Sequence, residues 1–189
     1  MKIVVLAAGT STEREVSIVS GTEVCKALRS RGHQAILVDV FFGKEGADPA
    51  TAFDGDYDVD VEAAYISSFN AQVKDAVASG REFFGPGVIE LCKAADVVFM
   101  ALHGANGEDG RVQAYFDLCG IPYTGTGYLS SAMAMDKGIT KKIFRTSGVP
   151  TPRGVELKKG KDSMNLADYN MELPVVVKTC CGGSSVGVY

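Results

Sequence analysis

Lys2-Ile3-Val4-Val5-Leu6-Ala7 is the stretch whose reading decides the fold. Its apolar residues run without a break instead of alternating with polar ones, which marks a strand covered on both faces. Thr12-x-x-Glu15 follows as a capping box, with Thr12 placed to cap a first helical turn and Glu15 to reach back to its backbone N–H. Val16, Val19, Val24, Ala27 and Leu28 then give a helical stripe, Arg29 and Arg31 suit a helix C-terminus, and Gly32 ends it. Gln34-Ala35-Ile36-Leu37-Val38-Asp39-Val40 reads as a second strand. Strand, helix and strand in this order form a βαβ unit, so the predicted class is α/β with a parallel sheet covered on both faces.

Further along, residues 43–87 are rich in Gly, Asp and Ala, and Asp54, Asp56, Asp58 and Asp60 alternate with other residues. They lack the glycine and terminal glutamate of a calcium loop, so the segment reads as a solvated acidic insertion. Val88 to Ala95 suits a short helix, and Ala95 to Leu102 a third buried strand. That strand leads into His103-Gly104-Ala105-Asn106-Gly107-Glu108-Asp109-Gly110, followed by a helix from Val112 to Leu118 closed by Gly120. Loops at the carboxyl ends of parallel strands are where ligands gather. A histidine, flexible glycines and two carboxylates there suit anion or substrate binding, or else Glu108 and Asp109 simply favour the first helical turn. The composition changes near Thr126, which places a domain boundary between 1–126 and 127–189. Beyond it a helix is expected from Leu129 to Thr146, strands at 154–157 and 173–178, and loop or weak helix at 158–170.

With 46% hydrophobic residues and a net charge of −4, the chain has an ordinary globular composition and no electrostatic footprint for nucleic acid. No apolar stretch approaches the roughly 18 residues needed to cross a bilayer. No secretory leader is evident, so a cytoplasmic location without membrane contact is expected. Five cysteines form no C-x-x-C pair and only two histidines are present, which argues against a disulfide framework or a zinc site. Cys25 and Cys119 fall on apolar helix faces as core residues, whereas Cys180 and Cys181 fall in a glycine-rich loop that could lower a thiol pKa.

That loop, Cys181-Gly182-Gly183-Ser184-Ser185-Val186-Gly187, follows the apolar run Leu173-Pro174-Val175-Val176-Val177 and Lys178. A strand, a lysine and glycines that bring backbone N–H groups close are parts for holding phosphate, and they are equally parts of a tight hairpin. Val186 to Tyr189 is short for a returning strand, which suggests a fragment of a longer protein.

Thr12-Glu13-Arg14-Glu15-Val16-Ser17, His103-Gly104-x-x-Gly107-Glu108-Asp109-Gly110, Pro122-Tyr123-Thr124-Gly125-x-Gly127, Met135-Asp136-Lys137 and Gly183-Ser184-Ser185-Val186-Gly187 together resemble the D-alanine-D-alanine ligases. Five matches in order reach from the first helix to the end of the chain, over only the first half or slightly more of such an enzyme. Ala8-Gly9 stands where the family more often has two glycines. Thr179-Cys180-Cys181-Gly182 replaces a usual proline, polar and charged loop, and residues 43–87 are longer than in the shorter members.

The resemblance implies a doubly wound, Rossmann-like N-terminal domain followed by the start of an ATP-grasp α+β domain. It implies an ATP-dependent ligase that phosphorylates one D-alanine carboxylate and lets the amine of a second D-alanine attack the acyl phosphate, making the dipeptide for peptidoglycan. Glu13 and Ser184 would be catalytic, Glu13 holding the ammonium of the first D-alanine and His103 lying near its carboxylate. Lys137, Lys178, Ser184 and Ser185 would bind ATP. Ligands for Mg2+ would lie beyond Tyr189, with none in this segment, so the chain alone is expected to be inactive. A homodimer through the N-terminal domain is also implied. A D-alanine-D-lactate ligase of the same family and a non-catalytic dimerisation module are the alternatives.

Overall fold

Six residues of unbroken apolar or half-buried character need neighbours on both edges and cover on both faces, and the computed structural model, which describes residues 1–182 and 187–189, provides all four. β1 (Lys2–Ala7) lies between β2 (Gln34–Asp39) and β3 (Val97–Met100) in a parallel sheet of order β2-β1-β3. The register pairs Val4 with Ile36 and Val98, and Leu6 with Val38 and Met100. A single parallel bridge from Val98 to Tyr123 extends the outer edge.

Alternate side chains of the central strand feed two cores. Val4 and Leu6 join Ile36, Val38 and Val98 beneath α4 (Val88–Ala94) and α5 (Arg111–Cys119), through Leu91 and Phe116. Ile3, Val5 and Ala7 join Ala35 and Leu37 beneath α1 (Arg14–Ser30) and α2 (Val59–Ser67), through Ile18, Cys25, Val59 and Ile66. Helices on both faces of a parallel sheet make this the doubly wound α/β arrangement read from the sequence. Each fully buried Val or Leu of β1 contributes about 1.5–3 kcal/mol relative to exposure.

α1 begins later than the capping box requires. Its N-cap residue is Glu13, with no side-chain cap, and Thr12 is exposed. Ser11 takes the turn-forming role: its hydroxyl oxygen accepts from Glu13 N and its carbonyl from Arg14 N. The helix is also rotated from the expected stripe. Its buried face is Arg14, Ser17, Ile18, Gly21, Thr22 and Cys25, while Val16 and Val19 are 57% and 65% exposed. Arg14 sets that rotation by pairing with buried Asp39. Gly21 permits the close approach, since a Cβ there would stand 2.8 Å from Ala7 Cβ and 3.0 Å from Leu37 Cδ1.

The 43–87 segment is not a purely solvated insertion. It carries α2, a 3-10 turn (Asn70–Gln72) and α3 (Val73–Ala78), and it buries Phe53, Val59 and Ile66. Its aspartates serve local structure: Asp58 Oδ1 accepts from the N–H groups of Asp60 and Val61 at the start of α2, and Asp60 pairs with Lys26.

Beyond residue 126 two expectations change. The helix expected over 129–146 is broken into α6 (Tyr128–Met135) and α7 (Lys137–Thr146) at Asp136, which leaves the helical conformation and caps α7 by accepting from Ile139 N. No strand forms at 154–157. Among the described residues the 173–178 run pairs with Val188 and Tyr189 alone, through a Lys178–Val188 bridge and reciprocal hydrogen bonds between Val177 and Tyr189. A 3-10 turn (Leu166–Tyr169) lies within the expected loop or weak helix.

Candidate functional site

The carboxyl ends of β1 and β3 bring Glu13 and His103 together from 90 positions apart in the chain. Ser11 is the bridge: its hydroxyl donates to His103 O at 2.7 Å and accepts from Glu13 N at 3.1 Å. The Glu13 carboxylate lies against Gly104, where a Cβ would stand 2.8 Å from Glu13 Oε2 and 3.2 Å from Ser11 Cβ. Gly104 also has φ +71°, so both the close approach and the backbone conformation favour glycine. Both Glu13 and His103 are half-buried and reachable from solvent.

Glu108 and Asp109 are consumed in building the loop. Glu108 Oε2 accepts from Gly104 N at 2.6 Å, and Asp109 accepts from Asn106 N and pairs with Arg111 at 3.0 Å. Neither carboxylate falls in the first turn of α5, which starts at Arg111, so both shape the loop instead of that turn, and Glu13 remains as the half-buried acid beside this loop.

Behind Glu13 stands an ion pair that the sequence reading did not assign. Arg14, 5% exposed, donates to Asp39 at 2.5 Å, to Gly9 O, to Ile66 O and to Asn70 Oδ1, and its guanidinium lies over the Phe42 ring. Asp39 in turn accepts from Phe41 N and Phe42 N. A fully hydrogen-bonded buried pair ties α1, the end of β2 and the end of α2 into one frame at the strand ends. Asp39, an acid closing an apolar run, was the signal available for it.

The second group of predicted residues surrounds the start of α7. Lys137 Nζ donates to Gly182 O at 2.7 Å and Lys137 N to Cys180 O at 3.0 Å, which fixes that lysine at the edge of the 180–182 loop. Asp136 receives the Cys180 thiol at 3.3 Å and the Cys181 thiol at 3.8 Å. The Ile139 N–H, then the Cys180 thiol, hold the Asp136 carboxyl below the usual carboxylate range. Cys180 is raised, first by desolvation and also by its bond to Asp136, which for this thiol is the reverse of the lowered pKa expected from the sequence. Lys178 is exposed, on the run that leads into this loop. Ser184 and Ser185 lie outside the described residues. No hydrogen bond among the described residues joins the Glu13 and His103 group to the Lys137 and Lys178 group. Among the described residues no group of three His, Cys, Asp or Glu side chains could hold a metal ion.

Comparison with known proteins gives a concordant result. Residues 2–126 match the family model described as D-ala D-ala ligase N-terminus. The D-alanine-D-alanine ligase of Lacticaseibacillus casei (strain BL23) is 42% identical over 194 aligned positions, covering 100% of this chain and 54% of that protein. That of Desulforudis audaxviator is 39% identical, covering 100% of this chain and 48% of its own. The chain thus spans about half the length of the curated relatives it matches. Among solved structures, D-alanine-D-alanine ligase from Bacillus anthracis complexed with ATP is 30% identical, with a TM-score of 0.66 over 100% of this chain and 50% of that one.

Proposed function

The chain belongs to the D-ala D-ala ligase N-terminus family, and on that premise we propose that it supplies the first-substrate site and part of the ATP site of a D-alanine-D-alanine ligase. The observation that carries this reading is the convergence of Glu13 and His103, through Ser11, at the carboxyl edge of the sheet inside the family-matched region. Glu13 offers a carboxylate to the ammonium of the first D-alanine, and His103 lies beside its carboxylate.

ATP supplies the phosphoryl group that turns that carboxylate into an electrophile with a good leaving group. Lys137 and Lys178 neutralise phosphate charge, with Ser184 and Ser185 adding hydroxyl donors and Ser184 acting at the reacting centre. The amine of a second D-alanine then attacks the acyl carbon, and phosphate leaves. The division at 126 follows, with 1–126 binding substrate and 127–189 belonging to the ATP-grasp domain; the end of the family match at residue 126 supports it. We place the carboxylates that would hold Mg2+ in the half of the relatives that this chain does not span. The product feeds peptidoglycan in the cytoplasm, and two copies associate through the first region, where exposed Val16 and Val19 support an interface.

The test is phosphate release with ATP, Mg2+ and D-alanine. A protein that extends this chain to the length of its relatives is expected to release phosphate and form D-alanyl-D-alanine, while the 189-residue chain does neither. Release from the 189-residue chain, or none of the dipeptide from the longer protein, overturns the reading.

A further inference from the structure

Ser20 belongs to none of the motifs singled out in the sequence, yet its hydroxyl lies 2.9 Å from His103 Nε2, across 83 positions of chain. The same oxygen lies 2.9 Å from Val16 O and 3.3 Å from Ser17 O, the back-bonding geometry of a serine within a helix. A hydroxyl has one proton and two lone pairs. Both helix carbonyls can only accept, whereas an imidazole Nε2 can carry a proton. Assigning the hydroxyl proton to Val16 O and the Nε2 proton to the contact with Ser20 therefore satisfies both of the 2.9 Å contacts at once, leaving only the longer approach to Ser17 O without a proton.

The placement is built rather than incidental. Gly21, the next residue, seats α1 against Ala7 and Leu37, which fixes the height of Ser20 above the sheet. One turn earlier Ser17 is fully buried: its hydroxyl donates to Ala101 O at 2.7 Å and accepts from Ala8 N at 2.8 Å, which locks α1 to the ends of β1 and β3. Ser11 meanwhile holds the His103 carbonyl. His103 is thus held at its backbone by one serine and at its ring by another.

We propose that Ser20 is a positioning residue for His103: it occupies Nε2, fixes the plane of the ring, and leaves Nδ1 as the only ring nitrogen available to a ligand. This rests on the reading of His103 as a contact to the first amino acid, and it names Nδ1 as the contacting atom; because Nε2–H is given to Ser20, donation from Nδ1 to a carboxylate requires the imidazolium, with both ring nitrogens protonated.

The chain has two histidines, so 15N-histidine labelling gives two ring systems, with His33 as the internal reference. In Ser20→Ala the His103 Nε2 resonance is expected to move and its Nε2–H to exchange faster, while Ser20→Thr, which keeps a hydroxyl, restores both. An unmoved Nε2 resonance in Ser20→Ala overturns the proposal whatever the substrate is. In the protein extended to the length of its relatives, Ser20→Ala is expected to raise KM for the first D-alanine by about three- to tenfold, the worth of one hydrogen bond. The change in kcat should stay under about twofold, with KM for ATP unchanged. His103→Gln in the same protein separates the two claims. If it raises KM for D-alanine and Ser20→Ala does not, the role of Ser20 is overturned. If neither changes KM, the substrate reading of His103 falls with it.

Discussion

Ile3-Val4-Val5-Leu6-Ala7 and Pro174-Val175-Val176-Val177 carry the same message in sequence, an unbroken apolar run, and reach opposite ends of the burial scale. The first is the centre of a three-stranded sheet with Val4 to Ala7 at 0% exposure. The second pairs only with Val188 and Tyr189 among the described residues, and Val176 is 68% exposed. The contrast extends to the regions around them: among the described residues every buried hydrophobic residue lies between Ile3 and Ile121, and beyond residue 126 Ser131 alone is buried. An apolar run therefore states what a segment needs, and only the surrounding chain decides whether the need is met. The first region meets it from its own residues.

The most severe way to break this contrast is to damage the frame beneath the first region. Asp39→Ala leaves Arg14 buried with its charge unpaired and is expected to cost about 3–5 kcal/mol in urea unfolding followed by circular dichroism. A cost below about 1 kcal/mol would mean that water reaches the pair. A matched pair of truncations compares the regions directly. Leu6→Ala, at 0% exposure, should cost about 2–5 kcal/mol, while Leu173→Ala, at 78%, should stay within about 0.5 kcal/mol.

Alkaline pH attacks the core of the first region. Burial pushes the Cys25 thiol up to about 11 and the Cys92 thiol up to about 12, so the folded chain keeps protons that the unfolded chain releases near 9. The stabilisation is complete below pH 9 and declines as pH rises towards 11 and 12, so the urea midpoint should fall over that window. A flat midpoint from pH 8 to 11 would contradict the burial of both thiols. The smallest effects concern helix starts. Asp58→Ala removes two bonds to the start of α2 and should cost about 1 kcal/mol, whereas Thr12→Ala should change stability by less than about 0.5 kcal/mol because Thr12 makes no cap.

The sheet was legible because a doubly covered strand leaves an uninterrupted apolar trace, and β1, β2, α4 and α5 all came within a few residues of their predicted places. The rotation of α1 was not, because Ser17, Gly21 and Thr22 line its buried face with small or polar residues while Val16 and Val19 point outward. A period-based reading follows hydrophobicity, and here a buried arginine and a close glycine contact outweighed it. The break at Asp136 was hidden for a related reason: an aspartate inside a helical pattern reads as a surface residue until its side chain is seen to cap the next turn. The motifs singled out Glu13 and His103, which the fold brings to the same strand ends, but Ser11 and Ser20, which contact the histidine, carry no signal beyond being serines.

Under the proposed function, the counterpart of the contrast is that the first region binds the first D-alanine and the second contributes to binding ATP. The most direct test is steady-state kinetics of Glu13→Gln and Lys178→Ala in the protein extended to the length of its relatives, varying each substrate in turn. The account predicts that Glu13→Gln raises KM for the first D-alanine by roughly 10- to 100-fold, the worth of a charge-assisted hydrogen bond, with little change for ATP. Lys178→Ala should do the reverse. A Glu13→Gln enzyme with an unaltered D-alanine dependence would contradict it.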